Sequence, residues 1–117
     1  MKNNLLSSNP ISEPVFFILL SLSTGRKHGY AILKNVETMS DGKLLLSTST
    51  LYSALGRLEG KKMVRRVPVE GQVTPGLPRK VYELTSQGLK LLQAESGRVQ
   101  RLAALSLRYQ VDHSREG

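Results

Sequence analysis

Cysteine and tryptophan are absent from this 117-residue chain, and aromatic residues of all kinds make up only 5% of it. Without cysteine there are no disulfides and no thiolate metal sites, an absence that fits a reducing, cytoplasmic setting. The scarcity of aromatic rings removes the stacking platform on which RNA-binding domains lay their bases. Long apolar runs are missing too: the stretch from Val15 to Leu22 is too brief to span a membrane. Met1 to Pro10 is polar, with a single lysine and no cleavage-site pattern, so a signal peptide is not expected. The chain is expected to be soluble and to stay inside the cell. Acidic residues are few, 9 against 17 lysines and arginines, for a formal net charge of +8. That imbalance calls for a polyanionic partner, nucleic acid ahead of a membrane surface. The length allows one domain with a modest core and no second catalytic domain. No paired carboxylates, metal-ligand cluster or nucleophile with a neighbouring base occurs, so no catalytic residue, metal or cofactor is expected. His28 has no second ligand nearby and reads as a helix-start or packing residue.

Residues 1–11 read as a loose arm. Ser12 is placed to cap a first helix, with Glu13 and Pro14 in its opening turn, running to about Ser23. It is apolar nearly all round and should be central to the core. Thr24-Gly25-Arg26 breaks it. His28-Gly29-Tyr30 opens a second helix that ends near Met39 or Ser40, and Asp41-Gly42 is a turn signal. Tyr30 and Tyr82 read as core or half-core residues. Leu44 to Leu46 form a short extended connection, a candidate to pair with a later hairpin. Met63 to Val69 and Arg79 to Leu84 alternate as two strands of a hairpin around the turn-rich Glu70 to Pro78. Thr85 caps a long last helix reaching about Tyr109, and residues 111–117 read as a tail.

The stretch from Ser47 to Lys62 is the one around which the others are expected to be arranged. Ser47 is the natural cap, and Leu51, Leu55 and Leu58 line one helical face. Thr48, Ser49, Thr50, Tyr52, Ser53 and Arg57 supply short donors near the helix start, an aromatic ring and a cation one turn on. Such a mixture suits phosphates and base edges, although a plain solvated face has the same composition. Tyr52 fits two roles, a ring packed under the helix or a hydroxyl reaching a phosphate.

Three helices followed by a hairpin give a fold that is mainly α with a small β-hairpin (α+β), in the order of a winged helix-turn-helix. In that arrangement the third helix enters the major groove of double-stranded DNA and the wing reaches the backbone. Between Lys61 and Lys80 stand six basic residues (Lys61, Lys62, Arg65, Arg66, Arg79, Lys80) against one acidic, Glu70. Lys61, Lys62, Arg79 and Lys80 are the expected phosphate contacts, although a solvated wing edge would carry Arg79 and Lys80 equally well, and of Arg65 and Arg66 only one can readily face DNA.

Three motifs in this order also resemble the PadR-like family of transcription regulators. They are His28-Gly29-Tyr30 before an apolar helix, Thr50-Leu51-Tyr52-Ser53-Ala54-Leu55-Gly56-Arg57-Leu58-Glu59, and Pro78-Arg79-Lys80-Val81-Tyr82-Glu83-Leu84-Thr85-Ser86-Gln87-Gly88. The resemblance covers about Ser12 to Leu107 and matches the branch with a single C-terminal helix. Two positions depart from the pattern. Lys62 stands where relatives often place a glycine as the left-handed stop after the recognition helix, so either the lysine is strained or the helix ends earlier, near Gly60. Gly56 replaces a commonly long or charged residue. Some relatives hold flat aromatic drugs with a tryptophan in the last helix, which this chain lacks.

The last helix is long for a three-helix core. Its stripe either closes a monomer core or leaves a surplus, about Val99 to Tyr109, for a partner; the resemblance implies a homodimer through this helix. Leu92, Val99, Leu102, Ala103 and Tyr109 are the residues expected there. The expected organisation is an arm (1–11), a winged helix-turn-helix (12–85), a dimerisation helix (86–110) and a tail (111–117). Function is expected to be sequence-specific DNA binding by a repressor at a palindromic operator, with a small-molecule effector of unknown kind. The competing reading is a protein-interaction adaptor whose DNA affinity is nonspecific.

Overall fold

Three helices begin at a hydroxyl residue that caps them, Ser12, Ser47 and Thr85, whereas the helix that follows His28 starts with no side-chain cap bond. The structure, a computed structural model, describes residues 10–68 and 80–114. Along the chain it contains α1 (Glu13–Ser23), β1 (Lys27–His28), α2 (Gly29–Met39), α3 (Thr48–Gly60), β2 (Val64–Val67), β3 (Val81–Leu84) and α4 (Ser86–Ser114). The Ser12 hydroxyl accepts from Val15 N at 3.3 Å, with Pro14 in the first turn. At the other end of α1, Gly25 takes a φ of +142° and the Lys27 ammonium folds back onto the helix. It donates to the carbonyls of Ser21 at 2.6 Å and Gly25 at 3.1 Å, where the helix dipole is negative. Burial pushes that ammonium below the usual lysine value.

Residues from every helix and from the sheet meet in one core. Ile18, Leu19 and Leu22 come from α1, Ile32 and Val36 from α2, and Leu51, Ala54, Leu55 and Leu58 from α3. Val64, Tyr82 and Leu92 close it from the sheet and α4. Burying each large aliphatic side chain is worth roughly 1.5–3 kcal/mol, so this shared core holds α3 in place. Inside it, the Ser21 hydroxyl donates to Asn35 Oδ1 at 2.7 Å, tying α1 to α2.

The hairpin is part of a three-stranded antiparallel sheet in the order β1-β3-β2. The added strand is not Leu44–Leu46 but Lys27–His28, paired with Tyr82 and Val81. Two residues are too few to show any alternation in sequence. Leu46 instead precedes the Ser47 cap with Leu51 four residues further on, the spacing of a hydrophobic staple, and both belong to the core assembly. The hairpin's expected tip, and Arg79 with it, lies outside the described residues.

Thr85 caps α4 as its sequence indicates: its hydroxyl oxygen accepts from Gly88 N at 3.0 Å. The same hydroxyl lies 2.7 Å from the Lys62 carbonyl and 3.0 Å from that of Met63, which also accepts Thr85 N at 3.0 Å. Gly88 is buried directly beneath the Met63 carbonyl; a Cβ there would overlap that oxygen and lie 2.8 Å from Leu84 Cδ1.

Three further expectations change in the fold. Tyr30 is not a core residue: it is 67% exposed. Leu92 is buried in the protomer's own core, so it is not a free residue for a dimer face. The last helix runs to Ser114, beyond the expected stop, because no glycine or proline stands between Tyr109 and Ser114 to end it.

Candidate nucleic-acid interface

α3 is built to show one face and bury the other. Ser47 takes an extended backbone conformation, and its hydroxyl oxygen accepts from Thr50 N at 3.1 Å. Leu51, Ala54, Leu55 and Leu58 are buried, while Thr48, Ser49, Thr50, Tyr52, Ser53 and Arg57 are exposed. At 3.6 residues per turn, Ser49, Ser53, Gly56 and Gly60 fall opposite the core, with Tyr52 on one flank and Arg57 and Lys61 on the other. Nothing stands within 4 Å of where a Gly56 side chain would begin. The outward face is therefore narrow and hydroxyl-rich, bordered by an aromatic ring and two cations.

The helix stops at Gly60, yet Lys62 still adopts the left-handed conformation, with φ +65°. Met63 N donates to the Leu58 carbonyl at 2.9 Å and Lys62 N to that of Glu59 at 3.0 Å, the paired bonds of a Schellman ending. Both alternatives raised by the sequence thus hold together. The turn projects Lys61 and Lys62, both exposed, from the end of α3.

Two of the cations counted between Lys61 and Lys80 are already engaged. Arg66 Nε donates to Glu59 Oε2 at 3.0 Å, and this contact raises its pKa. Arg65 is ion-paired with Glu83, directly opposite it on β3, and Arg26 approaches the same carboxylate at 3.9 Å. By contrast Arg57, Lys61, Lys62 and Lys80 have no carboxylate partner among the described residues. Residue counting along the chain could not separate these groups, since Glu83 faces Arg65 across the sheet and Glu59 reaches Arg66 from α3 to β2.

Tyr52 is 41% exposed and takes the packed one of its two expected roles: its ring tilts toward Tyr82, with centroids 6.5 Å apart, and its hydroxyl end lies against Gly29. Arg57 and Lys61 also border a cavity of about 410 Å³ behind α3, with Ile11, Val15, Leu58 and Leu91 in its wall.

Further along, α4 leaves the domain. From Gln100 to Gln110 every residue is exposed, including Leu102 at 46%, Ala103, Leu105 at 47% and Tyr109 at 63%. Val99, 46% exposed, begins this stripe and borders a groove of about 310 Å³ with Phe16, Phe17 and Glu95. Glu95 is nearly buried and takes a forked ion pair from Arg98, Nε–Oε1 3.0 Å and Nη2–Oε2 2.5 Å.

A helix-turn-helix with its third helix so exposed, followed by a sheet and a long helix, matches a known family model over residues 18–94, that of the transcriptional regulator PadR-like family. The chain belongs to the PadR-like family of transcriptional regulators. A relative of this PadR-like chain, an uncharacterised 37.1 kDa protein in transposon TN4556 of Streptomyces fradiae, is 36% identical over 92 residues. That match covers 79% of this chain but only 24% of the relative, so the chain spans about a quarter of the length of the curated protein it matches. Among solved structures, a PadR family transcription regulator from Clostridium difficile superposes with a TM-score of 0.70 at 23% identity, covering 85% of this chain and 99% of that one. Bacillus subtilis PadR in complex with operator DNA superposes at 0.62 with 23% identity, covering 72% of this chain and 46% of that one. At such identities these two likenesses establish the fold. Among the described residues no helix is long and apolar enough to cross a membrane, and no group of three His, Asp or Glu residues is placed to hold a metal ion.

Proposed function

We propose that this chain is a sequence-specific, DNA-binding transcriptional repressor that acts as a homodimer on a palindromic operator. The outward face of α3 carries the reading: its hydroxyls and its two flanking cations face solvent, while Arg65 and Arg66 nearby are neutralised within the fold. A helix of that width, about 10–12 Å with side chains, fits the major groove of B-DNA. Thr48, Ser49, Thr50, Tyr52 and Ser53 would meet bases and the near phosphates, with Arg57 as the side chain able to fork onto guanine. Lys61, Lys62 and Lys80, with Arg79, would bind backbone and contribute affinity without sequence information.

The dimer is supported by the exposed stripe of Val99, Leu102, Ala103 and Tyr109, continuous with the face of α4 that buries Leu92. Two-fold pairing there would set two copies of α3 toward successive major grooves and call for an operator of matching symmetry. A small-molecule effector enters only as a class; the cavity beside Arg57 and Lys61 is a place with room for one.

The test is binding of the purified protein to DNA upstream of its own gene and to a scrambled duplex over a range of salt. A regulator prefers its site by about 10³-fold or more, with two chains bound per site. Equal, steeply salt-dependent binding to both, with no preferred fragment in a genome-wide selection, would favour the adaptor. Occupancy that raises transcription from a reporter would replace repression with activation.

A further inference from the structure

The cavity of about 410 Å³ behind α3 takes its wall from several parts of the fold. Ile11 stands ahead of α1 and Val15 within it, Leu58 belongs to α3, Met63 precedes β2, and Leu91 lies on α4. Leu58 is buried in the shared core, and the other four are half-buried against it. Among the described residues no aromatic ring and no acidic side chain lines this space. Arg57 and Lys61 border it from one side of α3, a helical turn apart. Both are exposed, and neither has a carboxylate partner among the described residues. Apolar walls with a few polar groups to fix orientation are the composition of a small-molecule site.

We infer that this cavity binds a medium-chain aliphatic carboxylate, which competes with DNA for Arg57. The competition rests on the DNA-binding reading above; the binding itself requires no DNA. A guanidinium meets a carboxylate through two parallel hydrogen bonds, and Lys61 sets a second positive charge beside it. The ligand's chain would then displace water along Ile11, Val15, Leu58, Met63 and Leu91. Each methylene buried there strengthens binding roughly fourfold. A flat aromatic ligand would find no ring in this wall to stack on, so a flexible chain suits it better. Arg57 is also the side chain assigned above to fork onto guanine. One guanidinium cannot serve both partners, so carboxylate and DNA weaken each other's binding by the same factor.

The experiment is calorimetric titration of the intact, DNA-free chain with sodium butanoate, hexanoate and octanoate, with acetate and octan-1-ol as controls. Affinity is expected to rise roughly fourfold per methylene, with acetate and the uncharged alcohol far weaker than octanoate. Arg57→Gln should lose about tenfold or more in octanoate affinity. Ile11→Ala should weaken octanoate several-fold and leave DNA affinity unchanged. In fluorescence anisotropy on the preferred duplex, octanoate should release the parent where equal acetate does not, and should leave the residual binding of Arg57→Gln unaffected. Octan-1-ol as tight as octanoate, no gain with chain length, or full octanoate affinity in Arg57→Gln overturns the proposal. Methyl NMR shifts at Ile11, Val15 and Leu91 that follow protein concentration instead of octanoate would give the cavity to a second copy and overturn it too. Octanoate that binds without weakening DNA overturns the competition. If the parent prefers no sequence at all, the regulator reading fails, and calorimetry still decides the carboxylate site.

Discussion

The backbone N–H of Met63 reaches the carbonyl of Leu58 at 2.9 Å, and the turn it closes holds Lys62 at a φ of +65°. A side chain in that conformation costs about 1–2 kcal/mol, partly offset because glycine frees the unfolded chain. Lys62→Gly should therefore stabilise the fold by about 0.5–1 kcal/mol and raise the melting temperature by a few degrees. Thermal unfolding checks this, and an unchanged or lower midpoint would mean that the turn closes differently.

Two glycines should answer alanine in opposite ways. Gly56 sits in an exposed helix interior with open space around it, so Gly56→Ala should add up to about 1 kcal/mol of stability. Gly88 lies beneath a backbone carbonyl that cannot swing aside, and Gly88→Ala should cost about 2 kcal/mol or more. Denaturant midpoints of the two variants, measured side by side, provide the comparison.

The ion pairs divide the arginines by their expected effect on DNA. Arg57→Gln should weaken DNA binding and lower the salt slope by about 1, because that cation is free of any described carboxylate. Arg65→Gln and Arg66→Gln should change the slope far less, since Glu83 and Glu59 already neutralise these side chains. Equal slopes for all three variants would show that the pairs open when DNA binds.

Leu102→Glu, alone or with Tyr109→Glu, should give a folded monomer. Both side chains are exposed in the protomer, so the charge falls on a contact between copies and spares the core. Sedimentation gives the mass and circular dichroism the fold. A dimer that persists with both substitutions would move the interface elsewhere.

Glu95 should make stability depend on acid. The hydrogen bonds from Arg98 hold its carboxyl below the usual value, against the opposing effect of burial, with the Ile11 N–H assisting. A carboxyl lowered in the folded state stabilises it fully above the unfolded carboxyl range, near pH 4.3, and the gain is lost as pH falls through the folded value. Parent and Glu95→Gln should therefore differ in unfolding free energy at pH 7 and converge below about pH 4. A constant difference across that range would show that Arg98 does not perturb the carboxyl.

Much of this protein was legible along the chain because the signals are local. Ser12, Ser47 and Thr85 cap helices in the way their hydroxyls dictate, and the leucines of α3 recur at the period of the helix they form. Short donors near the start of α3 mark its outward face for the same reason: neighbours on a helix are set by spacing alone. Only the tertiary structure decided which charges are free and which apolar residues are spare. Arg65 and Arg66 lose their freedom to glutamates 18 and 7 positions away. Tyr30 surfaces because Gly29 and Ile32 take the inner positions of α2, and Leu92 sinks because the sheet and α1 close over it. A two-residue strand at Lys27 has no period to read; it exists because β3 offers it hydrogen bonds. Local geometry follows from neighbours in sequence, whereas pairing and burial follow from neighbours in space, which the folded core alone supplies.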